Sequence, residues 1–295
     1  MKNRGYLLKG DAAFKGAPPY KPPNTLCCYQ TYMPPFDATA AGYDAEFTHT
    51  QTGKYQRLQV WKVLLRLGLS HKKILEMNCG TGEDALFLAK EKASVTATDI
   101  SQEMLTVAKQ KANNQSIDFV QWDLRQDFPF IPEEKYDIAF SNFGGLNCLS
   151  SAEIEGLGKK LSAILAEKGQ LVLVIMPSFC VWESLYFLAK GKLKTAFRRR
   201  NKAGVLARLN ENQSVLTYYY SPKSLENLLK PHFFVAKKAP IGFFLPPSYL
   251  DNFFKKVPFL LPFLYFLEKC VAGIPFLAYF SDHYVMVFSR RFPQI

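Results

Sequence analysis

Between residues 73 and 176, short runs of apolar and β-branched residues alternate with segments whose apolar positions have helical spacing. Strands of this kind are predicted at residues 73–78, 95–98, 117–121, 136–141 and 171–176. Strands that alternate with helices predict a parallel sheet covered on both faces. The turns from strand to helix then lie together at the carboxyl edge of the sheet, where such proteins bind ligands.

Composition narrows the classes of function. The chain has 295 residues, of which 48% are hydrophobic, and this is enough to bury a sizeable core. Its formal net charge of +12 favours an anionic partner: nucleic acid, a membrane surface or an anionic substrate. A solvated basic face is the simpler explanation of the run from Lys190 to Lys202. The six cysteines form no CxxC pair and no Cys/His array, so we predict reduced thiols, a cytoplasmic protein and no metal site.

The first 38 residues are rich in Pro, Gly and Lys and have no sustained periodicity. We expect an irregular arm at residues 1–38, followed by one domain over residues 39–295. No apolar run follows Lys2 and Arg4, so a signal peptide is not predicted. An alternative is that natural translation begins at Met33.

Three features fall in order along the carboxyl edge. The segment from Glu76 to Gly82 is a glycine-containing turn that opens a helix, so backbone N–H groups are free beside it. Asp99 follows the second strand, where a carboxylate can accept both hydroxyls of a ribose. Asp123 follows the third strand, where a carboxylate can accept an exocyclic amine such as that of adenine. Together they predict a pocket for a molecule that carries adenosine.

The turn also satisfies the dinucleotide fingerprint G-x-G-x-x-A, which is weak evidence by itself. Glu76, Glu83 and Asp84 surround it with carboxylates. These acids would repel a diphosphate, whereas they suit a ligand with an ammonium and a sulfonium group. S-adenosylmethionine (SAM) is such a ligand, and an NAD(P)-dependent oxidoreductase stays open as the alternative.

In this order and spacing, the motifs resemble those of class I SAM-dependent methyltransferases over roughly residues 36–176. Residues 74–105 resemble the first motif of that family and its sequel, with Asn78 where a glycine is usual. Asparagine tolerates a left-handed backbone, so we expect this to be a mild departure. Residues 136–144 resemble the fourth-strand motif, and residues 36–44 are similar to the helix that often covers the cofactor.

The resemblance implies a Rossmann-like mixed sheet of seven strands, six parallel and the last antiparallel, with helices on both faces. It also implies that Glu76 and the Gly80–Gly82 backbone hold the methionine moiety, and that Ile100 and Leu124 sandwich the adenine. The implied cofactor-binding residues are Tyr43, Glu76, Asn78, Cys79, Gly80, Thr81, Gly82, Asp99, Ile100, Met104, Asp123, Leu124, Asn142 and Phe143. Purely structural roles stay open for Gly82 in helix packing, Asp99 as a cap and Asp123 as a loop acid.

Two insertions, at about residues 177–220 and 241–281, are dense in aromatic residues and prolines. Both leave or re-enter the sheet at its carboxyl edge, so we expect them to form a lid. A pocket for a hydrophobic acceptor, peripheral membrane contact with the basic run on anionic headgroups, and a small core within the lid all stay open.

His283 is the candidate general base, since it lies beside Asp282 at the start of the last strand. A lone histidine is more often structural, and adjacent residues of a strand face opposite ways. We therefore predict a SAM-dependent methyltransferase for a small, hydrophobic or aromatic acceptor. A nucleic-acid methyltransferase that uses the basic segment 190–202 is a further, less favoured alternative.

Overall fold

The computed structural model describes residues 36–113, 115–130, 132, 134–209, 213–247, 250, 254, 257 and 259–291. The expected arm at residues 1–38 lies outside the described residues except at residues 36–38, and so does the alternative start at Met33.

Seven of the strands form one sheet, and two form a separate hairpin in the first insertion. The strands are β1 (Lys73–Met77), β2 (Ser94–Asp99), β3 (Ile117–Gln121), β4 (Tyr136–Ser141), β5 (Leu165–Ile175), β6 (Val205–Arg208), β7 (Ser214–Thr217), β8 (Phe233–Ile241) and β9 (His283–Arg290). The sheet has the order β3-β2-β1-β4-β5-β9-β8. Only β9 runs antiparallel to its neighbours, β5 and β8. The predicted fold class is therefore confirmed.

The helices fill the connections between these strands. They are α1 (Gln51–Leu65), α2 (Glu83–Lys90), α3 (Gln102–Ala112), α4 (Ser151–Ile164), α5 (Val181–Ala189), α6 (Leu193–Ala196), α7 (Pro222–Leu229) and α8 (Leu260–Val271). A π-helical turn at Asp44–Thr48 precedes α1, and short 3₁₀ turns lie at Asp37–Thr39 and Arg198–Arg200.

Helices cover both faces of the sheet, and each face has its own core. Leu75 of β1 packs with Leu161 of α4 and Leu225 of α7 in one cluster. Its neighbour Ile74 packs with Leu64 of α1 in the other. Successive strand residues point to opposite faces, so a sheet buried on both sides has apolar residues at consecutive positions. This explains the nearly continuous apolar runs in the sequence.

Local sequence signals fix several helix starts. The Ser101 hydroxyl accepts a hydrogen bond from the Met104 N–H at 3.1 Å and caps α3. Ser150 and Glu153 form a capping box at the start of α4. The predicted start of β5 is wrong, because the strand begins at Leu165, directly after α4. Leu165 adopts extended dihedral angles and is fully buried, so tertiary packing ends the helix at Ile164.

The two insertions pack against each other. Leu245, Phe254 and Leu261 form a small core, against which Trp182 of α5 and Tyr55 of α1 pack. For these residues the structure supports a core within the lid. Within the described part of the chain, no helix combines the length and apolar character needed to cross a membrane.

Candidate active site

The turn after β1 uses a left-handed backbone at Asn78, with φ of 49°. The Asn78 amide donates to the Asn142 carbonyl at 3.0 Å and accepts from the Ser141 hydroxyl at 2.6 Å. The side chain also packs over Gly145, where an added Cβ would lie 2.2 Å from Asn78 Cγ. Asn78 thus takes the backbone expected of the usual glycine and ties this turn to the end of β4.

The two glycines of the turn have different surroundings. At Gly80, with φ of 55°, an added Cβ would meet nothing within 4 Å. At Gly82, with φ of 79°, it would lie 2.8 Å from Ala108 Cβ on α3. Gly80 therefore leaves the backbone open to a ligand, whereas Gly82 allows close packing of the α2 entrance against α3.

Asp99 joins the turns after β1 and β2. Its carboxylate accepts the Gly80 N–H at 2.8 Å and the Ser101 N–H at 2.9 Å, and the residue is 8% exposed. Burial raises the pKa of Asp99, although these N–H donors oppose the shift. Each carboxylate oxygen can accept more than one hydrogen bond, so capacity remains for a ribose diol. Ser101, not Asp99, caps the following helix.

Glu76 at the end of β1 is a buried carboxylate with an unsatisfied oxygen. The residue is 1% exposed, and among the described residues Oε2 has no hydrogen-bond partner. Burial raises the pKa of Glu76 well above its usual value, and Asp84 adds to this, while Arg57 opposes it. A buried charge without a partner is strongly disfavoured, so this position calls for a cationic group.

Asp84, in contrast, is fully engaged by the protein. Its carboxylate accepts from Arg57 Nη1 at 2.6 Å, Trp61 Nε1 at 2.6 Å and Asn142 Nδ2 at 2.9 Å. Glu83 lies 3.6 Å from Lys111 Nζ. Both acids that follow the turn therefore have cationic partners. Of the three acids, Glu76 is the one with an oxygen that has no hydrogen-bond partner among the described residues.

Sequence reasoning missed Arg57, which lies on the buried face of α1. Its Nε is buried and has no hydrogen-bond partner among the described residues. Arg57 precedes the buried Val60 and Leu64 at helical spacing. A charged residue on an otherwise apolar helix face was the available signal.

Phe143 connects the turn after β4 to the candidate base. It has φ of 41°, and its ring lies 5.4 Å from the His283 ring and 5.2 Å from the Arg57 guanidinium. His283 is 7% exposed, and its Nδ1 lies 3.2 Å from Asp282 Oδ2. The two neighbours therefore do not point apart, because Asp282 lies just before β9 begins and is not bound by the alternation of a strand.

The segment before α1 covers this edge. The Thr81 hydroxyl donates to Asp44 Oδ1 at 2.6 Å, and Lys111 Nζ lies 2.7 Å from Asp44 Oδ2. The Ser101 hydroxyl donates to Asp37. Tyr43 is half-buried beside them, and burial raises its pKa to about 12. Both residues were predicted to bind cofactor. Here Thr81 holds residues 36–50 in place, and Tyr43 is part of that segment, which is called the lid from here on.

Other predicted cofactor residues have protein partners. Arg125 Nε donates to Asp123 Oδ1 at 2.8 Å and to Oδ2 at 3.1 Å. These hydrogen bonds lower the Asp123 pKa, although burial opposes the shift. Leu124 packs on the core shared with α4. Met104 is 2% exposed, and Cys79 is buried with a raised pKa. Ile100 is half-buried. The roles of these five in binding stay predictions.

The basic segment is only partly solvated. Arg198 Nε lies 2.7 Å from Glu183 Oε1, and Arg199 Nη2 lies 2.9 Å from both Glu183 Oε2 and Asp282 Oδ1. Arg199 is 6% exposed. A solvated basic face is therefore the wrong interpretation for Arg199, which holds the first insertion to the start of β9.

Parts of this chain, including the turns of this edge, are similar in sequence to known proteins. Residues 74–169 match a family model described as a methyltransferase domain. YqeM of Bacillus subtilis (strain 168), whose name assigns it provisionally as a methyltransferase, is 29% identical over 151 residues, which is 50% of this chain and 58% of YqeM. Demethylmenaquinone methyltransferase of Clavibacter sepedonicus is 29% identical over 47% of this chain and 55% of its own length. The chain thus spans less than two thirds of these curated relatives.

Solved structures share the fold. DhpI in complex with S-adenosylhomocysteine (SAH) superposes with a TM-score of 0.57 over 88% of this chain and 94% of DhpI, at 16% identity. Magnesium protoporphyrin IX methyltransferase (ChlM) of Synechocystis PCC 6803, also with bound SAH, gives 0.51 over 84% and 87%, at 16% identity. Together with the family match at residues 74–169, they confirm the predicted resemblance to class I SAM-dependent methyltransferases.

Proposed function

We propose that this chain is a SAM-dependent methyltransferase that acts on a small, hydrophobic or aromatic acceptor. The observation that carries the proposal is Glu76, buried at the end of β1 with one oxygen unsatisfied among the described residues. The family match over residues 74–169 and the relatives solved with SAH support the same cofactor.

The residues present fit the cofactor. Glu76 would hold the ammonium of the methionine moiety. The Nε of Arg57, which has no hydrogen-bond partner among the described residues, would hold its carboxylate. Asp99 would accept the ribose hydroxyls, and Gly80 leaves room for the ligand against the backbone. Two unsatisfied groups of opposite charge match an amino-acid zwitterion, whereas a dinucleotide would place phosphates near Glu76.

When bound, SAM supplies an electrophilic methyl carbon on a sulfonium. The chain's own contribution is to orient the acceptor in line with that carbon and to exclude water. Residues 36–50 close one side of the edge. The first insertion borders it where Arg199 contacts Asp282, and the second insertion leads directly into Asp282. The aromatic character of these insertions suits an apolar acceptor.

His283 is the proposed general base for an acceptor that loses a proton. Asp282 lies 3.2 Å from Nδ1, and it is itself held by Arg199 at 2.9 Å and by Gln56 Nε2 at 3.2 Å. The Asp282 carboxylate would stabilise the imidazolium that forms when Nε2 accepts a proton from the acceptor.

Titration calorimetry and thermal shift with SAM, SAH, NAD and NADP test the cofactor. We expect SAM and SAH to bind, and Asp99→Ala to weaken them by about 2–3 kcal/mol through loss of charge-assisted hydrogen bonds. Asp118→Ala, an exposed aspartate on β3, is the matched control. Binding of NAD or NADP in place of SAM would contradict the proposal.

A further inference from the structure

A groove of about 330 Å³ lies between α1, β8 and α8. Four cationic residues line it: Lys62, Arg66, Lys237 and Lys269. The remaining lining is apolar except for Gln59. Gln59, Lys62 and Val63 share one face of α1, because their spacing follows the helical repeat, and Arg66 continues that face as the C-cap of the helix.

No acid among the described residues lines this groove. The acid of α8, Glu268, is fully buried and accepts the N–H groups of Gly242, Phe243, Phe244 and Leu245 at 2.6–3.2 Å. Burial and the nearby Arg66 lower the pKa of Lys237, as expected for cations that face one another. Among the described residues, none of the four cations forms an ion pair, although Lys62 and Lys269 lie 5.2 and 5.3 Å from the centre of the Tyr265 ring.

Gln59 gives an independent indication of a ligand. The residue is 5% exposed, yet among the described residues neither Nε2 nor Oε1 has a hydrogen-bond partner. Buried amides are almost always hydrogen-bonded, so this one calls for an external partner. An N–H donor beside four cations is the chemistry that binds phosphate oxygens.

An exposed apolar stripe borders the groove. Phe259 is 74% exposed, Phe263 54% and Phe266 56%, and Ile274 beyond the helix is 46% exposed. The first three lie four and three residues apart, which places them on one face of α8 with Lys269 at its side. Exposed aromatics beside cations are typical of helices that lie in a membrane interface.

We propose that the groove binds the phosphate of an anionic lipid headgroup while the phenylalanine stripe rests against the acyl chains. Charge favours this occupant over a second copy of the chain. A two-fold interface would place the stripe against itself and bring two uncompensated cationic grooves together. An anionic bilayer supplies both the apolar layer and the counter-charge.

Sedimentation of the full chain with vesicles tests the proposal. Vesicles of phosphatidylcholine alone should bind little, whereas those with about one third phosphatidylglycerol should bind the protein. Arg66→Gln/Lys237→Gln should weaken binding roughly thirtyfold, since each cation near such a surface contributes about 1 kcal/mol. Lys159→Gln/Lys230→Gln removes the same charge from exposed positions on the opposite, α4 and α7, face and should change binding less than about twofold. Equal loss in both pairs would overturn the groove.

Gln59→Leu separates a ligand role from a packing role. Replacing an unsatisfied buried amide by a similar apolar side chain should preserve or raise thermal stability. Vesicle binding should nevertheless fall several-fold, because one donor to the phosphate is lost. Unchanged vesicle binding would overturn the role of Gln59 in the site.

Two further arms distinguish the sources of phosphate. Phe263→Ser/Phe266→Ser should abolish most vesicle binding while leaving any thermal shift by inorganic phosphate unchanged. A phosphate-induced shift in wild type without vesicle binding would overturn the lipid and identify a soluble phosphate ligand. Far-UV circular dichroism and the melting temperature of each variant show whether the fold is intact without any use of SAM, so this proposal and the proposed function fail independently.

Discussion

A pair of buried carboxylates, Glu183 and Asp282, and a single one, Glu76, lie at the carboxyl edge of the sheet and differ in their partners. Glu183 and Asp282 share Arg199, and Glu183 also pairs with Arg198. Burial opposes ionisation in both, yet the arginines lower the pKa of Glu183, and His283 and Arg199 lower that of Asp282. Glu76 is as deeply buried, but its Oε2 has no hydrogen-bond partner among the described residues, and burial raises its pKa.

The difference separates structure from binding. A buried carboxylate whose charge is balanced by arginine holds parts of the fold together and needs no further partner. A buried carboxylate with an unsatisfied oxygen is retained at a cost, and such perturbed groups concentrate at functional sites. We therefore expect substitutions of Glu183 or Arg199 to act on folding, and substitutions of Glu76 to act on ligand binding.

The largest effect should follow from Arg199→Met. This change leaves Glu183 and Asp282 with buried, partly uncompensated charges, so we expect a loss of about 3–5 kcal/mol in the free energy of unfolding. Chemical denaturation in the absence of ligand measures it.

The matched control is Lys202→Met, because Lys202 is exposed in the same basic segment. It should change the free energy of unfolding by less than about 0.5 kcal/mol. If both variants lost the same amount, the closed cluster would have no special role and the comparison with Glu76 would fail.

Glu76→Gln should have two effects of opposite sign. The neutral amide removes an unpaired buried charge, so the ligand-free protein should melt at a higher temperature. SAM affinity should fall by about 2 kcal/mol, roughly thirtyfold, because the ammonium loses its charged acceptor.

Thermal shift and titration calorimetry on one preparation measure both quantities. Glu155→Gln on the exposed surface of α4 is the control and should move neither. A variant that melts lower and binds SAM normally would make Glu76 a structural residue like Glu183.

The same contrast explains how much the sequence could predict. Glu76 and Asp99 were recognised because each lies next to a strand end, where local spacing determines position. Arg57 and Arg199 were not, since their partners Asp84 and Asp282 are 27 and 83 residues away in the chain. Long-range pairing of this kind depends on how the insertions pack, and residue spacing carries no record of it.

The insertions illustrate the same limit. The mixed sheet with one antiparallel strand follows from the alternation of helix and strand together with the family resemblance. The hairpin of β6 and β7 was not predicted, because its strands are short and pair only with each other among the described residues. Their alternation of half-buried and exposed positions gives too weak a signal over so few residues.

Cofactor affinity should depend on pH through Glu76. Its pKa in the folded protein is raised, so the unliganded protein is penalised above the unfolded pKa, and the penalty grows as pH rises toward the folded value. A bound ammonium favours the ionised form. SAM affinity should therefore fall as pH decreases below the folded pKa, by at most about tenfold per unit.

Calorimetry in buffers of different ionisation enthalpy should detect proton release on binding within that window. Glu76→Gln should abolish the release, and Asp118→Ala should retain it. Proton uptake, or a release that survives in Glu76→Gln, would assign the dependence to another group.

The smallest effect should come from the contact that fastens the lid over this edge. Thr81→Val removes the hydroxyl that donates to Asp44 at 2.6 Å and keeps the shape of the side chain. We expect the free energy of opening the lid to fall by about 1 kcal/mol, with global stability unchanged. This corresponds to roughly fivefold faster amide exchange across Asp44–Thr48. Hydrogen exchange measured by mass spectrometry resolves this segment.

Thr106→Val on α3 is the control, because its exposed hydroxyl donates only to the Gln102 carbonyl of its own helix among the described residues. Exchange in the lid should not change in that variant. A further test lies in the Glu76→Gln background, where the lid should keep its protection, since Lys111 and Thr81 hold Asp44 without help from Glu76. Loss of lid protection there would mean that the unsatisfied carboxylate already takes part in closing the site, and the separation between balanced and unbalanced acids would no longer hold.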